Sequence, residues 1–299
     1  MENLIRLYPL WEEVVFFPLY PIKNQISAMS RFFTRKIQVE RIFIGDSTKF
    51  INFVINKFIK PKLCVMVDDG ASTLSLAPFI ADRKLHLRKK NLAPQSSQLS
   101  KIKSWAGLAP TYLYDARFFT IYDLKKFGLQ NRTDLNTLDY CRSKLKEKSI
   151  NQETWFIGSN FRGDLLAKPE SYEKLIAHLS ELEDLTRVIY IPHRKEPDDY
   201  LAVLASRYGF TVRRFTTIIE IEVLNATALP KRIISFGSSA INTLNHLISR
   251  PTTVYQVPDA ILAEHRRQVL TELYEVCKEN GYTMIELEPK SVTSYSEMT

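Results

Sequence analysis

Short runs of strand-forming residues recur along this chain, each followed by a polar or glycine-containing turn and then by a stretch with helical spacing. That rhythm restricts the fold more than any other feature, because strand, helix and strand in regular succession pack as parallel β-α-β units. Val14–Leu19 reads as a first strand closed by Pro18 and Pro21, and Asn24–Arg35 as a helix with Ile26, Met29, Phe32 and Phe33 on one side. Arg41–Ile44 is a second strand; Asp46-Ser47 then offers an N-cap to a helix running to Ile59, and Leu63–Val67 is the next strand. Thr73–Phe79 has a helical pattern, the basic polar stretch from Arg83 to Lys103 reads as a loop, Arg117–Tyr122 as a strand, and Thr133–Lys148 as a polar helix.

A second alternation begins at Glu153. Strands are expected at Thr154–Ile157, Arg187–Ile191, Thr216–Val223, Arg232–Phe236 and Thr252–Gln256, with a last extended piece at Tyr282–Leu287. Helices are expected at Pro169–Leu182, Pro197–Tyr208, Ser239–Ser249 and Ala263–Asn280. The fold class is therefore α/β, with two Rossmann-like lobes: an N-terminal lobe over 1–150, a C-terminal lobe over 151–288, and a polar tail over 289–299.

Length and charge bound the function only loosely. The 299 residues suffice for one large or two medium domains. The net charge of +8, from 41 basic and 33 acidic residues, suits an anionic ligand, an anionic membrane surface or a nucleic acid. Three scattered cysteines, Cys64, Cys141 and Cys277, form neither a zinc pattern nor a disulfide framework, and no convincing Asp-x-Asp metal site occurs. No apolar run is long enough for a transmembrane helix, and the N-terminus lacks a secretory signal, so a cytoplasmic protein is expected. A peripheral membrane contact through Arg31, Phe32, Phe33, Arg35 and Lys36 is left open beside a core-helix reading of the same residues.

In open α/β sheets ligands bind beyond the carboxyl ends of the strands, so the residues just past each strand are the candidates. Leu63–Val67 runs into Asp68, Asp69 and Gly70; Thr154–Ile157 into Gly158, Ser159 and Asn160; Arg187–Ile191 into Pro192, His193, Arg194 and Lys195. Arg232–Phe236 runs into Gly237, Ser238 and Ser239, which open a helix whose N-terminal amides and dipole suit a phosphate. Each has a bland counterpart: Asp-Asp-Gly is also turn chemistry, a serine is also an N-cap, and His193 also fits a solvated basic loop. His178, His246 and His265 fall within helices and are assigned to packing or solvent roles.

Taken in order, Asp68-Asp69-Gly70, Pro192-His193-Arg194 and Ser238-Ser239 resemble the Asp/Glu-Asp-Gly, His-Pro and Ser-Ser motifs of bacterial sialyltransferases of the GT-B type. The compact length points toward glycosyltransferase families 52 and 97. Glu222, 16 residues before Ser238, matches the glutamate that holds the ribose in that group. His193 follows a proline instead of preceding one, which leaves the subfamily and the donor sugar open. The resemblance implies two lobes facing across a cleft and a single inverting displacement at the anomeric carbon of CMP-Neu5Ac, onto a galactose-terminated glycan or lipid-linked oligosaccharide. Asp68 would be the general base, with Asp69 and Gly70 supporting it and Asp69 the alternative base. His193 would stabilise or protonate the departing CMP phosphate, Ser238 and Ser239 would hold its oxygens, and Glu222 the ribose. Gly158, Ser159, Asn160, Pro192, Arg194 and Gly237 complete the expected CMP-binding set. No cofactor and no metal is expected, because hydroxyls, helix amides and an imidazole can handle one phosphate. The alternatives are a transferase for Kdo, pseudaminic or legionaminic acid, and a basic protein that binds nucleic acid or a membrane surface; the enzyme reading expects no nucleic acid.

Overall fold

The computed structural model describes residues 39–45, 60–68, 70–82 and 115–288. The expected elements at Val14–Leu19, Asn24–Arg35 and Asp46–Ile59, the basic stretch from Arg83 to Lys103 and the polar tail lie outside these residues, as does Asp69. The chain divides into two compact units, 1–136 and 137–299. The division falls ahead of position 150 because a helix, α2 below, packs against helices of the second unit.

In the first unit four parallel strands lie in the order β1 (Arg41–Ile44), β2 (Leu63–Val67), β3 (Arg117–Thr120) and β4 (Thr133–Leu135). Cys64, Val65 and Met66 of β2 are buried in succession, the run of apolar residues expected of a strand covered on both faces. Helix α1 (Ser72–Ala81) comes after the turn that closes β2. The expected helix over Thr133–Lys148 is a strand and a shorter helix instead. Thr133 pairs with Phe118 and extends the sheet, and only α2 (Asp139–Leu145) is helical.

The second unit holds six parallel strands in the order β12-β11-β10-β6-β7-β8: β6 (Thr154–Ile157), β7 (Val188–Ile191), β8 (Thr211–Val212), β10 (Arg232–Ser235), β11 (Thr252–Gln256) and β12 (Thr283–Glu286). A small parallel pair, β5 (Ser149–Ile150) with β9 (Ala228–Leu229), is separate from it. The chain starts in the middle at β6, moves outward through β7 and β8, then returns to the other side of β6 at β10. The order reverses between β6 and β10, which is the point where open α/β sheets leave a crevice at their carboxyl ends.

Helices α3 (Ser171–Leu182), α4 (Asp198–Tyr208), α6 (Ala240–Ile248) and α7 (Glu264–Glu279) agree in type with the sequence reading. Their apolar sides supply Leu175, Ile176, Leu179, Leu244 and Leu273 to the core. Phe236 sits at its centre, edge-on to Phe156 at 5.1 Å and to Phe161 at 5.9 Å.

One expected strand is wrong. Thr216–Val223, whose alternating Ile and Glu have the period of a strand, contains instead the start of helix α5 (Ile219–Asn225). Both ends of α5 are held by side chains. The Glu222 carboxylate reaches back to the Thr217 amide at 2.8 Å and its hydroxyl at 2.7 Å. At the other end the Lys148 ammonium donates to the carbonyls of Val223 (3.3 Å), Leu224 (2.7 Å) and Ala226. These partners satisfy terminal groups that an isolated helix leaves open, and they outweigh the weak strand preference of an Ile-Glu repeat.

Candidate functional site

Asp68 stands at the carboxyl end of β2. Its Oδ1 accepts from the Thr73 hydroxyl of α1 at 2.9 Å and from the Thr120 hydroxyl of β3 at 2.5 Å, and its Oδ2 accepts from the Ile121 amide at 2.8 Å. The carboxylate thereby joins the ends of two strands and the first turn of a helix, and its orientation is fixed. Gly70, two residues on, has φ +58° on an exposed turn.

In the second unit, the residues after β6, β7 and β10 come together along one edge of the sheet. After β10, Gly237 has φ +124°, and a Cβ there would lie 2.8 Å from Leu270 Cδ1 and 3.1 Å from the Tyr274 ring, so only glycine fits. Tyr274 pins the same loop by donating to the Phe236 carbonyl at 2.8 Å. The fully buried Ser235 accepts from the Gly237 and Ser238 amides, both at 3.1 Å, and donates to the Ile157 carbonyl of β6 at 2.8 Å. Two amides that the sequence reading offered to phosphate are thus already used. In the first turn of α6 the Ile241 and Asn242 amides donate to the Ser238 and Ser239 carbonyls at 3.1 and 3.2 Å, which leaves the Ser238 and Ser239 hydroxyls and the Ser239 and Ala240 amides as candidate donors. Ser239 is the N-cap residue, yet its side chain makes no capping bond.

After β6, the Gly158 amide donates to the Ile191 carbonyl at 2.8 Å. A Cβ at Gly158 would stand 2.7 Å from the Tyr190 hydroxyl oxygen, 2.9 Å from Glu196 Oε2 and 3.1 Å from the Ile191 carbonyl oxygen. The close neighbours of this glycine are therefore the protein's own buried polar groups. Ser159 and Asn160 lead into a π-helical turn, Phe161–Leu165, whose Arg162 guanidinium stacks over the Tyr200 ring at 4.4 Å.

After β7, Pro192 and His193 are half-buried and Arg194 is exposed. His193 Nδ1 accepts from the Lys195 amide at 3.3 Å, so the neutral ring carries its proton on Nε2. Burial, followed by the charges of Arg194 and Lys195, pushes the imidazole below its ordinary value, so the neutral form prevails at neutral pH.

Under this turn lies Glu196, only 6% exposed, which the sequence reading did not single out. Its Oε1 accepts from the Tyr190 hydroxyl at 2.6 Å and its Oε2 from the His193 amide at 2.6 Å; the Tyr190 hydroxyl is in turn 2.6 Å from that of Tyr172. An acid directly after His-Arg-Lys was the one available sequence signal. Burial lifts this carboxyl to about 6, against hydrogen bonds from Tyr190 and the His193 amide that pull it down. In the unfolded chain it titrates near 4.5, so its contribution to stability is fully present below that pH and is lost as pH rises through about 6. Glu196→Gln removes this dependence: relative to wild type, the variant should gain about 2 kcal/mol between about pH 4 and about pH 8, measured by denaturant unfolding. A difference that stays constant with pH would contradict the assignment.

Glu222 sits apart from this edge network in hydrogen-bonding terms. All of its bonds, to the amides and hydroxyls of Thr216 and Thr217, use Oε1. Burial raises its carboxyl, but the bonds from Thr217 and Thr216 prevail and hold it below the usual value. It lines a cavity of about 320 Å³ with Trp155, Phe215, Asn225 and the bidentate pair of Glu153 with Arg213, bonded at 2.7 and 2.9 Å. The Arg213 bonds, opposed by burial and aided by Trp155, bring the Glu153 carboxyl down to about 2. Among the described residues no cluster of three metal-ligating side chains occurs, and no helix is long and apolar enough to cross a membrane.

Two parallel-sheet α/β units, the second with its order reversing between β6 and β10, define the GT-B architecture. Among solved structures the chain is similar to an alpha/beta-galactoside alpha-2,3-sialyltransferase from Photobacterium phosphoreum, with 13% identity and a TM-score of 0.51 over 95% of this chain and 87% of that one. Weaker likenesses include a protein of Listeria monocytogenes assigned as a UDP-N-acetylglucosamine 2-epimerase (9% identity, TM-score 0.49, 97% and 74% covered) and MurG of Acinetobacter baumannii (10%, 0.41, 98% and 76%). No family model and no curated protein matches the sequence. At such identities the likeness defines the fold alone.

Proposed function

We propose that the protein is an inverting, metal-independent sialyltransferase that moves sialic acid from CMP-Neu5Ac to a terminal galactose-type acceptor of a surface glycan. The observation that carries this reading is the edge at the β6/β10 reversal, where Ser235 ties the Ser238 amide to the end of β6, the Gly158 amide donates to the end of β7, and Glu196 holds the His193 amide. Such an edge suits one phosphate: an Nε2–H, two hydroxyls and a helix N-terminus all offer donors, and the dipole of α6 favours the negative charge. In this reading the neutral His193 donates to the phosphate as the glycosidic bond breaks, and Glu222 uses Oε2 for the ribose hydroxyls. Asp68 takes the proton from the acceptor hydroxyl. The Asp/Glu-Asp-Gly, His and Ser-Ser resemblance makes a CMP-activated sugar the donor class, with CMP-sialic acid as its first member to test, and a peripheral position near a lipid-linked acceptor fits the +8 charge.

The test is incubation of the purified chain with CMP-Neu5Ac and galactose-terminated acceptors, beside CMP-Kdo, CMP-pseudaminic and CMP-legionaminic acids. Transfer from CMP-Neu5Ac, unchanged by a chelator, is the expected outcome; transfer from another donor only would replace the substrate. Asp68→Asn, which keeps the size of the side chain, should lower kcat by about 10²–10⁴-fold, as loss of a general base does. If Asp69→Asn is the variant that loses activity while Asp68→Asn retains it, the base is Asp69 and Asp68 serves to tie β2 to β3.

A further inference from the structure

We propose that Glu196 is a positioning residue for His193: its buried carboxylate holds the 193–196 turn in the one shape that keeps the imidazole in its Nε2–H form. This inference rests on the reading of His193 as the partner of the donor phosphate and extends it to a residue outside the resemblance.

The geometry closes a small ring. The His193 amide donates to Glu196 Oε2 at 2.6 Å, and the Glu196 amide donates to the His193 carbonyl at 2.9 Å. Between them the Lys195 amide meets His193 Nδ1 at 3.3 Å. This last bond is weak by itself and exists only while the turn is closed. Arg214 clamps the turn from outside, donating to the Glu196 carbonyl at 2.6 Å and to the His193 carbonyl at 3.4 Å.

The carboxylate is anchored from below by the Tyr190 and Tyr172 hydroxyls, both on fully buried side chains of β7 and α3. The groups that face or influence Glu196 are therefore Tyr190 from β7, Tyr172 from α3, Tyr200 from α4, Arg214 beyond β8, and His193 itself. Gly158 closes the remaining side.

The hydroxyl chain also predicts which substitution is tolerated. In Glu196→Gln the amide oxygen still accepts from the His193 amide, while the amide nitrogen donates to Tyr190, whose proton turns toward Tyr172. In Glu196→Ala the His193 amide loses its acceptor and the turn loses its anchor.

Nitrogen-15 spectra of the histidine ring in the full chain test this directly. Wild type and Glu196→Gln should show the Nε2–H form at His193, and Glu196→Ala a mixture of both tautomers, with a cooperative thermal transition as the control on folding. Tyr190→Phe, which keeps the core volume but removes the anchor on Oε1, should loosen the ring state if Glu196→Ala does not fold. In transfer assays Glu196→Ala should lower kcat by about 100-fold, the effect of a misplaced group, with little change in donor KM, and Glu196→Gln should restore it. A folded Glu196→Ala protein that keeps the Nε2–H form, or a Tyr190→Phe protein that keeps it when Glu196→Ala is unfolded, would overturn the proposal. The ring spectra decide the positioning role alone; loss or retention of activity in His193→Ala decides whether the ring serves transfer.

Discussion

His193→Ala is expected to lower kcat for transfer by about 10²–10⁴-fold, the range for removal of one positioned proton donor. The argument starts from the state of the ring. Burial and the adjacent Arg194 and Lys195 charges disfavour the imidazolium, and the Lys195 amide occupies Nδ1. What the ring offers at neutral pH is therefore a single N–H at Nε2. A neutral donor aimed at a leaving phosphate stabilises the charge that develops as the glycosidic bond breaks, without first losing a proton of its own. His193→Asn, whose amide also carries N–H donors, should recover part of the loss. Recovery would indicate a hydrogen-bond role, and an inactive Asn variant a proton-transfer role. Initial rates at saturating CMP-Neu5Ac measure this, and an Ala variant with wild-type kcat would remove His193 from the mechanism.

Gly158→Ala should be strongly destabilising, costing about 3 kcal/mol, the upper end for overpacking a buried site. The new Cβ would meet three oxygens at 2.7, 2.9 and 3.1 Å, and none can withdraw easily. The Tyr190 hydroxyl is bonded to both Tyr172 and Glu196, Glu196 Oε2 holds the His193 amide, and the Ile191 carbonyl belongs to the end of β7. Relief therefore requires moving the His193 turn or parting β6 from β7. The thermal transition of this unit should fall by roughly 6–12 °C. Adding Tyr190→Phe removes the nearest of the three oxygens, so the double variant should lose less than the two single losses combined. A Gly158→Ala protein that melts with wild type would mean that the loop after β6 is free to shift.

Much of the second unit was legible because burial leaves a local record. Leu175, Ile176 and Leu179 recur at helical spacing, and Trp155-Phe156-Ile157 and Ile233-Ile234 are continuous apolar runs of the kind that parallel strands need. Strand ends could be read for the same reason, since an apolar run that stops at Gly158, His193 or Gly237 marks where the chain leaves the sheet. The failures share one cause. Ile219-Glu220-Ile221-Glu222 has the period of a strand, yet it is a helix because Lys148, 75 residues before Val223, caps its last carbonyls. Thr133 begins a strand, where a helix was expected, because Phe118 supplies its partner.

By itself the sequence determined the parallel α/β class and the strand ends that carry Asp68, His193 and Ser238-Ser239. Periodicity and turn chemistry are properties of neighbouring residues, and neighbours are what a sequence lists. Only the tertiary structure decided what stands beneath those ends. Ser235 takes the amides of the serine loop, Thr73 and Thr120 fix Asp68, and Glu196 joins Tyr190 to the His193 turn. A hydrogen bond between Thr120 and Asp68, 52 residues apart, has no local signature, because its donor and acceptor meet only when β2 and β3 lie side by side.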